Sequence, residues 1–184
     1  MKSNNTLKGL TLEQLWRLFP IILSPHRPQW RGWAAAEIES LSGLLAFGAP
    51  VITHIGSTAI SGIWSKPTVD ILVELSPASW SRAREAMEAA GYICMSSSAA
   101  RMSFNKGYTP QGYAERVFHI HFHAPGDNDE ILFRDYLNGH PAVAREYEEL
   151  KRSLAPRYRH DRDGYTEAKR LFVQKVMALA KSGG

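Results

Sequence analysis

The sequence predicts an α+β domain, a mixed β-sheet with helices packed against it, on three observations. Val51 to Ile55 and Val69 to Leu75 are short runs rich in β-branched and apolar residues, the composition of buried or half-buried strands. From Arg116 to His123, the residues His119, His121 and His123 alternate with Phe118, Ile120 and Phe122, a period of two that assigns the imidazoles and the apolar side chains to opposite faces of a strand. Around these runs lie segments of helical period, of which Trp30, Trp33, Ala34, Ile38, Leu41 and Leu45 form the longest stripe.

Each element follows in order. Thr11 suits the cap of a short helix through Leu12, Leu15, Trp16 and Phe19, stopped by Pro20. Ile21 to His26 reads as extended, and Pro28 suits the start of the stripe helix, which Gly48 and Pro50 end. Ile60 to Pro67 is short for a full crossover helix, so a single helical turn opening at Ser57, then a loop, joins the first two strands. Ser76-Pro77 closes the second strand. Ser79 to Ala90 is helical with Trp80, Ala83, Met87 and Ala90 inward, and Gly91 is its C-terminal stop. Tyr92 to Met95 forms a short strand. Arg101 to Tyr108 and Arg116 to His123 form a hairpin around a Pro110/Gly112 loop.

A helix then runs from about Asp129 to Leu137, capped by Asp127 or Asn128, with Asp129 and Glu130 suited to its positive end. Pro141 starts another through Ala144, Tyr147, Leu150, Lys151 and Leu154, ended near Pro156. After a charged loop, Asp163 caps the last helix, Tyr165 to Ala180, with Ala168, Leu171, Phe172, Lys175 and Val176 on its buried side. Ser182-Gly-Gly reads as a frayed end. With no internal repeat, linker or low-complexity segment, residues 1–184 are expected to form a single domain.

Bulk properties narrow the function. A chain of 184 residues with 44% hydrophobic and 22% charged residues is ordinary for a globular protein. A net charge of +4 without a dense Lys/Arg run permits an anionic small ligand and argues against dedicated nucleic-acid binding. Cys94 is the only cysteine, which excludes an internal disulfide framework and a cysteine-based zinc site. No apolar run approaches the roughly 18 residues of a membrane span. The opening Met1-Lys-Ser-Asn-Asn-Thr lacks the apolar region of a signal peptide, so a cytoplasmic location is expected.

The chemistry gathers where the first strand turns at Gly56. Glycine there lets backbone approach a ligand without a Cβ in the way. Ser57 and Thr58 offer hydroxyls, and their N–H groups suit phosphate oxygens. Asp70, facing the turn from the next strand, is where a metal-bound phosphate would put its cation. Lys66, in the loop between, is either a point charge for phosphate or a solvated lysine. Lys106 and Arg116 supply two cations at the open end of the hairpin. His119 and His121, two apart on a strand, either line the site, where they suit a transition metal, or are structural. Arg134 is a phosphate clamp or a structural ion-pair partner. It is adjacent to Asp135 on the helix, so the two should point in different directions. Tyr165 and Lys169, four residues apart, form a surface pair or approach a ligand.

Six ordered blocks carry a resemblance to a known family. His54-Ile-Gly-Ser-Thr-Ala, Ser65-Lys-Pro-Thr-Val-Asp-Ile-Leu-Val, Lys106-Gly-Tyr, Phe118-His-Ile-His, Phe133-Arg-Asp-Tyr-Leu and Tyr165-Thr-Glu-Ala-Lys resemble the GrpB family, also called UPF0157, within the nucleotidyltransferase superfamily. The resemblance spans about Leu12 to Val173. It implies a nucleotidyltransferase-like fold that binds a nucleotide or another phosphorylated small molecule with Mg²⁺ or Mn²⁺, and metal-assisted transfer of a nucleotidyl or phosphoryl group. Asp70 and Lys106 become the candidate catalytic residues. His54, Gly56, Ser57, Thr58, Lys66, Arg116 and Arg134 are candidates for phosphate or substrate, and Asp70, His119 and His121 for metal.

The superfamily's usual second acid, two residues after the first, is here Leu72. Glu74 lies roughly 13 Å further along the strand, too far to share metals about 3.5–4 Å apart. Imidazoles of the histidine strand are the candidate replacement for the superfamily's third acid. The alternative is a catalytically silent ligand-binding or accessory module, similar to the domain attached to some dephospho-CoA kinases. A third reading is a histidine-metal hydrolase.

Overall fold

The structure, a computed structural model, describes residues 9–182; the start of the chain and the end expected to fray at Gly183-Gly184 lie outside them. In chain order the elements are α1 (Leu12–Leu18), α2 (Gln29–Leu44), β1 (Val51–Ile55), β2 (Val69–Glu74), α3 (Trp80–Ala89), β3 (Ile93–Ser97), β4 (Arg101–Thr109), β5 (Gly112–His123), α4 (Asp129–Gly139), α5 (Pro141–Arg157), α6 (Arg162–Ala168) and α7 (Arg170–Ser182). The five strands form one sheet in the order β1-β2-β5-β4-β3. β2 and β5 run parallel and every other pair is antiparallel, which makes the sheet mixed, as expected.

Alternation along the strands gives the sheet two different faces. On one, Val69, Ile71 and Val73 of β2 and Phe118, Ile120 and Phe122 of β5 join Met102 and Phe104 of β4. They bury against Trp30, Ala34 and Leu41 of α2, with Leu45 just beyond it, and against Trp80, Ala83 and Met87 of α3. The other face carries Asp70 on β2 and the three histidines of β5. A second apolar cluster, built from Ile60, Ile63, Leu137, Ala144, Tyr147 and Val176, holds α4, α5 and α7 together around the segment after β1.

One charged residue of the main core escaped the apolar pattern. Glu37 of α2 is buried, and its carboxylate accepts from Lys106 Nζ at 2.8 and 3.0 Å and from the Tyr92 hydroxyl at 2.5 Å. A buried carboxylate needs such partners. The triad braces α2 against β4 and the start of β3.

Several expected boundaries move. β5 begins at Gly112, because Thr109 pairs with Gly112 and the intervening Pro110-Gln111 makes a tight hairpin turn. Strand β3 starts after Tyr92, whose hydroxyl is committed to Glu37. Ala90 is exposed, beyond the last helical residue of α3. Pro156 falls inside α5, which ends one residue later at Arg157, so the proline costs one bond near the helix end.

The largest difference is at the C-terminal helix, which divides at Lys169 into α6 and α7. Asp161, not Asp163, caps α6 by accepting from Gly164 N at 2.8 Å. The break changes the helical phase, so Leu171 is 73% exposed, Lys175 is exposed, and Val176 and Ala180 are the buried positions. Among the described residues no helix is long and apolar enough to cross a membrane.

Candidate metal and phosphate site

The site begins at the turn after β1. Gly56 has φ +71°, and a Cβ there would lie 2.5 Å from Asp70 Oδ2, so glycine is required for both its conformation and its lack of bulk. Ser57–Ala59 is the expected single helical turn. It is pinned from two sides: Ser65 Oγ donates to Ser57 O at 2.9 Å, and Thr58 Oγ1 donates to Thr68 O at 3.2 Å. Thr58 also lies 3.0 Å from His54 Nε2. Because the Thr58 proton is committed to Thr68, His54 donates there.

Register then brings the metal-ligating types together. Asp70 pairs with His119 across the parallel β2–β5 ladder, and Leu72 with His121. Asp70 Oδ1 lies 3.2 Å from His119 Nδ1 and 3.4 Å from His121 Nε2. One ligand atom from each of the three residues lies within 4.8 Å of the others. On its far side His119 Nε2 is 2.7 Å from the Tyr108 hydroxyl, which Arg162 Nη1 approaches at 3.4 Å. Burial pushes His119 down to about 4 against the pull of Asp70, leaving a neutral imidazole at pH 7. Burial alone would raise Asp70, but the hydrogen bonds from His119 and His121 outweigh it and hold the carboxyl well below the usual range.

A cleft of about 350 Å³ opens over this cluster, between the histidine face of the sheet and helices α5 and α6. Its charged wall consists of Lys66, Lys151, Arg162 and Lys169, with Asp70 the one carboxylate. Burial, then repulsion from Arg162, lowers Lys66 to about 7; burial, then Lys169, lowers Lys151 to about 7. Lys169 is lowered as well, chiefly by burial. Tyr147 and Tyr165 are buried in the wall, and burial raises both hydroxyls, so they remain protonated donors. Tyr165 Oη has no hydrogen-bond partner among the described residues. Such a cavity is short of negative charge and supplied with donors, the complement of an anion.

The other residues singled out from sequence divide into three groups. Gly56, Ser57, Lys66, Asp70, His119 and His121 surround or line the cleft. Lys106 and Arg116 do not join them: Lys106 pairs in register with Phe118 and is bonded to Glu37 on the opposite face, and the Arg116 guanidinium lies over the Trp33 ring at 5.6 Å. His54, Thr58 and Arg134 line a separate pocket. Contrary to the expected divergence, Arg134 Nε donates to Asp135 Oδ1 at 2.7 Å, while Nη1 donates to His54 O, also at 2.7 Å. Burial lowers His54 to about 4.

His123 lies outside the cluster and holds the loop before α4 through Asp127 O at 2.8 Å. Sequence reading assigned no site role to Tyr108, Tyr147, Lys151 or Arg162. The helical spacing of Arg162, Tyr165, Thr166 and Lys169 was the available signal, since all four fall on one face. Lys169 lies over the Tyr165 ring at 4.3 Å within that wall, so the pair belongs to the cleft.

Comparison with known proteins bears on family and fold. The model of the GrpB protein family matches residues 20–179. A UPF0157 protein of Pseudomonas aeruginosa is 38% identical over 160 residues, a match covering 85% of this chain and 66% of that protein, just under two thirds of the relative's length. The crystal structure of GrpB from Enterococcus faecalis superposes with a TM-score of 0.74 at 28% identity, covering 86% of this chain and 96% of that one. The Cid1 poly(U) polymerase, solved with MgATP, matches with a TM-score of 0.51 at 12% identity, covering 70% of this chain and 45% of its own. That likeness is one of fold, and the fold is nucleotidyltransferase-like.

Proposed function

This chain belongs to the GrpB family, and we propose that its cleft binds a nucleotide, or another small molecule carrying a polyphosphate, together with a divalent cation at Asp70, His119 and His121. The observation that carries the reading is a convergence. One carboxylate and two imidazoles meet at the floor of a cleft whose charged wall is otherwise cationic.

The donor set fits a cation. A ligating histidine must be neutral, as His119 is at pH 7, and its second nitrogen is normally held by a partner, the place Tyr108 takes. With Nδ1 engaged by metal, His119 donates from Nε2 to the Tyr108 oxygen. Two nitrogens and one carboxylate favour Mn²⁺ or a later transition metal over Mg²⁺, which prefers oxygen ligands. A bound cation would neutralise phosphate charge and polarise a phosphoryl oxygen. The chain's own residues do the rest: Lys66, Lys169 and Arg162 hold phosphate oxygens, the Ser57 turn supplies short-range donors, and the tyrosine hydroxyls exclude water while donating. Transfer of a nucleotidyl or phosphoryl group needs mainly this positioning and charge neutralisation.

A second reading, a ligand-binding module without transfer chemistry, is favoured by Leu72. That residue is fully buried on the Asp70 face, where a second metal would need an acid. Both readings share the binding step, so binding is tested first. Calorimetry with a nucleotide and coenzyme A panel, with and without Mn²⁺ or Mg²⁺, is run on wild type and Asp70→Ala. Metal-dependent binding lost in a folded Asp70→Ala supports the site. Absence of nucleotide binding under every metal condition ends the transferase reading. Product formation with a bound nucleotide then separates transferase from module.

A further inference from the structure

The Ser57–Ala59 turn has a cavity on each side. Ser57 lines the cleft, whereas Thr58 and Ala59 line a pocket of about 240 Å³ with His26, Arg31, His54 and Arg134. We propose that this pocket is a second anion subsite, which takes the phosphate group of a second substrate.

The lining contains two guanidinium groups and two imidazoles, and no carboxylate. Arg134 is anchored by Asp135 at Nε and Nη2 and by the His54 carbonyl at Nη1, so its head group is fixed in place with only its remaining Nη hydrogens left for a ligand. Arg31 is exposed on the first turn of α2 and has no ion pair or side-chain hydrogen bond among the described residues. His26 brings a buried Nδ1 that likewise has no hydrogen-bond partner among them. The burial of a polar nitrogen without a partner is unfavourable, and a turn of the ring toward the pocket would let a ligand oxygen satisfy it. Asn138, the remaining polar side chain, has its groups engaged with Ser61 N, Ala59 O and Arg134 O.

These donors come from three directions: the segment before α2, α2 itself, and α4. A tetrahedral phosphate presents oxygens to all three, whereas a planar carboxylate presents two. Guanidinium N–H groups are the usual partners of such oxygens. The place matters as much as the chemistry. The pocket shares one short turn with the metal-and-phosphate cleft, and His54 feels the charge of Asp70. Two anionic ligands held on either side of Gly56 would approach each other across that turn. The subsite stands on its own residues; calling its occupant a second substrate rests on the function proposed for the cleft.

Imidazole ring resonances report both cavities in one spectrum: His26 and His54 for the pocket, His119 and His121 for the cleft. Inorganic phosphate is titrated at fixed pH and ionic strength into wild type, Lys169→Ala and Arg31→Ala, with chloride as control. The expected result is a saturable shift of His26 and His54 that survives Lys169→Ala and weakens about tenfold or more in Arg31→Ala, the size of a lost charge-assisted hydrogen bond. The proposal is overturned if those rings do not move, if chloride moves them equally, or if their response vanishes with Lys169→Ala. Failure of the cleft reading looks different: His119 and His121 stay silent to nucleotide with Mg²⁺ while His26 and His54 still answer to phosphate.

Discussion

Binding of a polyphosphate in the cleft is expected to take up protons. In the free protein Lys66 and Lys151 sit at about 7, down from 10.5, because burial and neighbouring cations oppose their charge. At pH 8 each is then only about one tenth charged. An anionic ligand reverses the balance by supplying the missing counter-charge, so both lysines return toward their ordinary range. Complete recovery takes up about 0.9 proton per lysine, or about 1.8 for the pair. The sign follows: affinity is highest below pH 7, where both lysines are already charged, and falls as pH rises above it. Near pH 8 the fall approaches tenfold per pH unit for each lysine.

The assay is calorimetry of ATP binding with Mg²⁺ at pH 8 in two buffers of different ionisation enthalpy, where the ligand's own phosphates are already ionised. Replacing Lys66 with arginine, whose guanidinium stays charged, should remove about half of the uptake. An uptake near zero in wild type would refute the reasoning, as would an uptake unchanged in Lys66→Arg. Stability carries the same linkage with its own sign. Between pH 7 and 10.5 these lysines bind fewer protons folded than unfolded, so their contribution to the stability of the unliganded protein rises with pH through that window.

Other substitutions test the geometry. Gly56→Ala forces a Cβ into Asp70 and a backbone conformation that only glycine adopts easily; a loss of about 3 kcal/mol in denaturant unfolding is expected, with loss of metal binding. A variant as stable as wild type would contradict the close approach. Tyr108→Phe removes the partner of His119 Nε2 and should weaken Mn²⁺ binding about tenfold while costing about 1 kcal/mol of stability. Unchanged metal affinity would show that Tyr108 does not orient the imidazole. Lys106→Met leaves the Glu37 carboxylate with one partner fewer; discounted for the partial exposure of Lys106, the expected loss is about 1–2 kcal/mol with nucleotide affinity unchanged. Loss of nucleotide affinity in a folded Lys106→Met would put Lys106 back in the site.

Local chemistry was legible wherever it depended on neighbours in sequence. The turn at Gly56, the strand carrying Asp70 and the imidazole face of β5 follow from residue type and a period of two, and the structure places them together. Their meeting in space needs the parallel register of β2 and β5, which no local pattern specifies. The cationic wall was less visible, because Lys151 comes from a helix whose stripe reads as ordinary packing and Arg162 falls in a segment that reads as a charged loop. Lys151 illustrates the difficulty. It sits on the buried stripe with Ala144 and Tyr147, yet its ammonium donates to Trp64 O and Ser65 Oγ at the cleft.

Lys106-Gly107-Tyr108 shows how one residue can reverse a sequence reading. On a regular strand, residues two apart share a face, so Lys106 and Tyr108 would stand together. The β4–β5 ladder shifts register between them, and Gly107 takes φ +89° against the Arg116 carbonyl, where any Cβ would collide. Such a bulge re-aims the side chains around it. Lys106 keeps the core-face alternation of Met102 and Phe104 and meets Glu37, while the bulge turns Tyr108 to the opposite face, to His119 in the cleft. The lysine that sequence logic placed beside Asp70 becomes a structural brace, and the tyrosine it passed over orients a candidate ligand. Glycine at position 107 therefore decides that Tyr108 reaches the site instead of following Lys106 onto the core face.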